Sequence, residues 1–113
     1  MKLGHVNFGG KEYPIVLTMR VLQKVQNRTG QTIVQELGRI QDNFDVDAFM
    51  GLFKDMLEAG AAYCDKNGIP HEETPALDDL YDLIGLDEFP SLFGEVSNVA
   101  QGKPEIEVVS KNP

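Results

Sequence analysis

The side chains that could act as nucleophiles or metal ligands are few: His5, His71, Cys64, Ser91, Ser97 and Ser110, besides the carboxylates. A zinc centre draws three or four ligands from short, recurring spacings of Cys and His. His5 and His71 stand far apart and Cys64 is the only thiol, so the sequence holds no such set. His71-Glu72-Glu73 reads as an exposed polar turn. Asp45-Val46-Asp47 and Asp78-Asp79 read as helix starts, because the glycine and glutamate of a calcium loop do not both follow in register. The serines lack a nucleophile-elbow context, and a Cys64–His71 pair depends wholly on how the chain folds. Gly9-Gly10 joins two strand-like segments, whereas a phosphate loop leads from strand to helix and carries more glycines. These residues predict no enzyme: no catalytic residue, no cofactor or metal site and no small-molecule substrate.

Charge is more informative. Arg20, Lys24 and Arg28 recur every four residues, which aligns them on one side of a helix. Two readings of this stripe stay open. It is a solvated face, or it is the partner-binding surface for an acidic protein. The net charge of −8 is divided unevenly. Residues 1–40 hold six basic and two acidic groups, a balance of +4, and residues 41–113 hold four and sixteen, a balance of −12. Overall acidity argues against nucleic acid as a partner. The division permits complementary contact with a protein or with a second copy of the chain.

With 113 residues, 42% of them apolar, the chain predicts one folded domain. No apolar run approaches the roughly 20 residues that cross a bilayer. The opening Met1-Lys2-Leu3-Gly4 has no apolar leader core. Unpaired Cys64 fits a reducing compartment and reads as core packing beside Phe53 and Gly60. Gly85-Leu86-Asp87-Glu88-Phe89 is similar to the attachment motif of acyl carrier proteins. Glu88, however, stands where the modified serine belongs, and an N-terminal hairpin is foreign to that fold.

The elements that position these residues are legible as an α+β, mainly α, chain. A hairpin covers about 5–18 and helices about 19–101, within one domain over 1–104. A two-residue Gly9-Gly10 loop suits a type I′ or II′ turn. It sets Phe8 opposite Lys11 and Val6 opposite Tyr13. Val6, Phe8, Tyr13, Ile15 and Leu17 then share the apolar face, with His5, Asn7, Glu12, Pro14 and Val16 on the other. Pro14 confines its strand to an edge. The first helix covers about 19–29 with Met19, Val21, Leu22 and Val25 inward, and Gly30 as its left-handed cap. A Thr32–Gln35 capping box starts a short helix over 33–40, followed by a loop to Asp45. Asp45 caps the longest helix, 46–67, in which Gly60 marks a close approach by another element. Thr74-Pro75 starts a fourth helix with Leu77, Leu80, Tyr81 and Ile84 inward and Gly85 at its end. A last helix covers 88–101. Residues 105–113 are expected to form a loose tail or a third strand.

Val6-Asn7-Phe8-Gly9-Gly10-Lys11-Glu12-Tyr13-Pro14-Ile15-Val16-Leu17-Thr18, followed by Leu22, Val25 and Thr29-Gly30, resembles the opening of tail assembly chaperones of long-tailed bacteriophages. That family looks like a short hairpin ending in Leu-Thr, a first helix closing at Thr-Gly and a variable helical remainder. Its turn is more often Asn-Gly, and its first helix often carries acids where this one is basic. The resemblance implies a protein of the host cytoplasm that binds the helical tape-measure protein, keeps it soluble while tail-tube subunits polymerise, and then leaves the particle. The alternative is a structural or adaptor component of the particle, a head–tail connector or scaffold, acting by self-assembly as a homo-oligomer.

Overall fold

Positive φ at both Gly9 (58°) and Gly10 (77°) makes the reversal between them type I′, the twist that suits a right-handed ribbon. The computed structural model, which describes residues 1–102, places β1 (Gly4–Phe8) antiparallel to β2 (Lys11–Ile15) in the expected register. Val6 faces Tyr13 and Phe8 faces Lys11. Val6, Phe8, Tyr13 and Ile15 are buried, and the Phe8 and Tyr13 rings stack with centroids 4.3 Å apart. The second face departs from expectation, because Pro14 and Val16 are buried as well.

The cause is the long helix behind the ribbon. Five α-helices follow the hairpin: α1 (Met19–Thr29), α2 (Ile33–Asn43), α3 (Val46–Lys66), α4 (Leu77–Leu83) and α5 (Phe89–Ala100), the last preceded by a 3₁₀ turn at Leu86–Glu88. The fold is α+β and mainly α. The backbone of β2 runs against α3, and β1 lies against α5. Val16 donates its N–H to the Met56 carbonyl at 3.4 Å. At Gly60 a Cβ would overlap the Pro14 carbonyl and come within 2.8 Å of the Ile15 Cα. Gly4 plays the same part on the other strand, where a Cβ would meet Val99 and the Glu95 carboxylate. Two glycines thus let two helices close on the ribbon.

Local signals set most helix ends. Thr18 Oγ1 accepts from Val21 N–H at 3.1 Å, and Gly30 closes α1 at φ 73°. Thr32 and Gln35 form the reciprocal box at the start of α2, and Asp45 accepts from Ala48 N–H at α3. The interior gathers Phe8, Phe49 and Phe53 with Leu52, Met56 and Leu57. Cys64 is buried on the same helix.

Several expectations are corrected. Met19 is 80% exposed, not inward. At about 100° per residue it lies across the helix from Val21, which with Val25 faces the core. Helix α2 does not stop at 40 but runs to Asn43, so the expected loop is reduced to Phe44, which closes the helix at φ 49°. A phenylalanine in that region costs about 1 kcal/mol, and its ring rests edge-on against Phe89, centroids 5.1 Å apart. Helix α4 starts two residues after Pro75, with Ala76 at the cap and no side-chain cap bond. The Pro75 carbonyl instead accepts from Lys54 Nζ at 2.7 Å. Leu80 is its only buried residue; Leu77 and Tyr81 are exposed, and Ile84 rather than Gly85 follows the last turn. Residues 105–113, expected as tail or strand, lie outside the described residues.

Gly60→Ala is expected to destabilise the fold by about 2 kcal/mol, although alanine gains about 1 kcal/mol in helix propensity, because the Pro14 backbone must move aside. Gly94→Ala on α5, where a Cβ meets nothing within 4 Å, is expected to stabilise by up to about 1 kcal/mol. Urea unfolding of the two variants measures both.

Candidate functional site

The three cations of α1 do not form one free stripe. Helical spacing aligns them, but α3 crosses beside α1 and offers Asp55, whose side chain is only 12% exposed. Arg28 Nη1 binds Asp55 Oδ2 at 3.1 Å, and Lys24 Nζ stands 4.0 Å from Oδ1. The Arg28 guanidinium lies over Gly51, 3.5 Å from where a Cβ would stand, so the absence of a side chain there admits it. Arg20 turns outward and donates to Gln23 Oε1 at 2.6 Å.

Arg20 and Lys24 also line a groove of about 370 Å³ between α1 and α3. Val21, Ala59, Ala62 and Tyr63 supply most of its apolar lining. Glu58, Asp55 and Lys66 complete the rim, which therefore carries both signs. Such a surface suits a helix side rather than a small substrate: it is open, its floor is apolar, and its charges are spread along the edges. Arg28 belongs to the stripe by sequence but not to this groove.

The side chains weighed for catalysis are not brought together. His5 is exposed on β1. Cys64 is buried in α3, where desolvation, with Asp65 adding to it, pushes its thiol up and away from the thiolate. His71 Nε2 engages Asp65 Oδ1 at 2.7 Å, and Nδ1 engages the Glu72 carbonyl at 2.8 Å. Lys11 Nζ reaches Glu72 at 3.7 Å, which ties the segment after α3 to the hairpin turn. The turn at His71 is therefore a structural clasp rather than the free polar connection expected from sequence. Among the described residues no group of three or more His, Cys, Asp or Glu is placed to hold a metal ion. None of the described helices is long and apolar enough to cross a membrane.

A second concavity escaped the sequence reading. Phe44, Val46, Tyr81 and Leu86, all exposed, surround a hollow of about 230 Å³ floored by Phe49 and Met50. Leu86 and Phe44 carry no periodic signal that distinguishes them from core positions. No family model, curated protein or solved structure matches the chain.

The Asp65 hydrogen bond, then the Glu72 carbonyl, raise the His71 pKa above its ordinary 6.5. A folded value above the unfolded one stabilises fully below about pH 6.5, and that contribution is lost as pH rises through the folded value. Stability is therefore expected to fall from pH 6 to pH 8 in the wild type and to fall less in His71→Gln. Urea midpoints of both proteins at the two pH values check this; equal slopes would show that the clasp does not titrate.

Proposed function

We propose that this protein is a phage tail assembly chaperone: it binds the tape-measure protein in the host cytoplasm, keeps it soluble and assists tail-tube polymerisation without entering the mature particle. In this reading it is not an enzyme. The observation that carries the reading is the opening segment. The residues that resemble those chaperones, Val6 to Gly30, fold as one unit, with a type I′ ribbon, a Thr18 cap and a Gly30 left-handed stop. That unit is docked on the helices and forms one wall of the open groove between α1 and α3. An apolar floor with charges of both signs along its rim supports reversible capture of a helix, because it removes apolar surface from water without enclosing the guest.

Arg20 and Lys24 are the partner-binding residues of this reading, and Arg28 steadies the wall through Asp55. Reversing all three charges would set two glutamates against half-buried Asp55 and confound binding with stability. Glutamine is the cleaner replacement.

Co-expression with the tape-measure protein tests the reading. Wild-type chaperone is expected to keep it in the soluble fraction, and purified particles are expected to lack the chaperone. Arg20→Gln with Lys24→Gln is expected to weaken binding about tenfold, since two rim cations contribute at most about 1 kcal/mol each, with an unchanged melting temperature. A tape-measure protein that stays insoluble beside the wild-type chain overturns the proposal. Stoichiometric presence of the chain in particles replaces it with the adaptor reading, for which the +4/−12 charge division is the physical motive.

A further inference from the structure

The hollow at the far end of the bundle differs from the α1–α3 groove in charge and in apolar exposure. Leu86 is 73% exposed and Phe44 47%, and with Val46 they rim a floor of buried Phe49 and Met50. Scattered apolar side chains on a surface are ordinary; a contiguous set around a concavity marks an interaction site. Phe44 adds an independent sign. Its backbone is held in the left-handed region, where glycine or asparagine is usual, and the result is an aromatic ring standing at the rim.

The edges are acidic. Tyr81 donates its hydroxyl to Asp47 Oδ1 at 2.7 Å, and the charges of Asp47, Asp78 and Asp45 bear on that hydroxyl. Asp87 Oδ1 lies 2.6 Å from where a Cβ of Gly85 would stand, and Glu88 Oε1 accepts from Gly85 N–H at 2.9 Å. Neither lysine nor arginine lines the hollow. Asp45 is held by Arg39 at 2.7 Å, but Asp47, Asp78, Asp87 and Glu88 form no ion pair among the described residues.

We propose that this acidic-edged apolar hollow is a docking site for an amphipathic helix of another protein, one whose apolar stripe is flanked by lysine or arginine. The stripe covers Phe44, Val46 and Leu86, and its cations face the unpaired carboxylates. A second copy of this chain is a poorer occupant. Its helix α1 carries Arg20, Lys24 and Arg28, but Lys24 and Arg28 are engaged by Asp55 and Met19 is its only large exposed apolar side chain, so it brings neither a free cationic row nor an apolar stripe. The assignment stands on this surface alone and does not rest on the tape-measure reading.

Calorimetric titration of the full chain with two synthetic peptides of about five helical turns tests it, both with one leucine stripe, one flanked by lysines and the other by glutamates. The lysine peptide is expected to bind about tenfold more tightly than the glutamate peptide, and the difference is expected to shrink as salt is raised. Leu86→Ser removes an exposed side chain, and Phe44→Asn keeps a residue that tolerates the left-handed backbone. Each is expected to lower affinity for the lysine peptide about tenfold with unchanged circular dichroism. Arg20→Gln with Lys24→Gln, on the other groove, is expected to leave that affinity unchanged. Equal binding of the two peptides overturns the proposal, as does indifference to both Leu86→Ser and Phe44→Asn. So does loss of binding through the α1 variants alone. A dimer that Leu86→Ser abolishes, with no peptide bound, would assign the hollow to self-association and overturn it too. Because the probe is a model peptide, the outcome is separate from that of the tape-measure co-expression.

Discussion

Backbone contact between α3 and β2 is the constraint on which the other arrangements depend. A two-stranded ribbon is marginal by itself and needs an apolar surface beneath it. Glycine at position 60 lets the Pro14 carbonyl and the Ile15 Cα approach the helix axis more closely than any side chain allows. The ribbon then reaches Met56 with a backbone hydrogen bond and buries Phe8 against Phe53, rings 5.7 Å apart. Once β2 is fixed, Thr18 follows at a set distance and launches α1 alongside α3. The groove between those two helices is thus a consequence of how the hairpin sits.

Charge is distributed over this frame in two ways. Near α1 the opposite signs meet within the molecule, at Asp55 for Lys24 and Arg28, and at Glu36 and Asp45 for Arg39. Glu36 is buried and bonded to Arg39 Nη2 at 2.8 Å, so that arginine compensates a carboxylate that could not stand alone there. Around α4 and the 3₁₀ turn the carboxylates form no ion pair among the described residues. An excess of acid beside exposed aromatic and aliphatic side chains disfavours self-burial and leaves a surface open to a cationic guest. The two concavities differ for this reason: one carries charges of both signs in its lining, the other an apolar lining flanked by Asp47, Asp87 and Glu88.

The hairpin, its register and most helix starts were legible because each depends on neighbours in the chain. Gly9-Gly10, Gly30, the Thr32/Gln35 box and Asp45 act over three or four residues, and the structure shows each in its expected role. Two of the misread positions depend on distant partners. Thr74-Pro75 looked like a helix start, yet Lys54 takes the Pro75 carbonyl and the helix begins later. Phe44 ends α2 without glycine because Phe89 supports its ring. The cationic stripe was visible as a period of four, but its division between Asp55 and solvent was not.

By itself, then, the amino-acid order determined the succession of hairpin and helices, the tight turn and the need for a close approach at Gly60, since all of these follow from local dihedral preference and periodic burial. Only tertiary structure decided which face of the ribbon meets which helix, that Pro14 and Val16 are covered, and that Phe44, Val46, Tyr81 and Leu86 converge on one hollow. Those outcomes are set by contacts between residues far apart in the chain, and periodicity carries no information about which distant surface an apolar side chain will face.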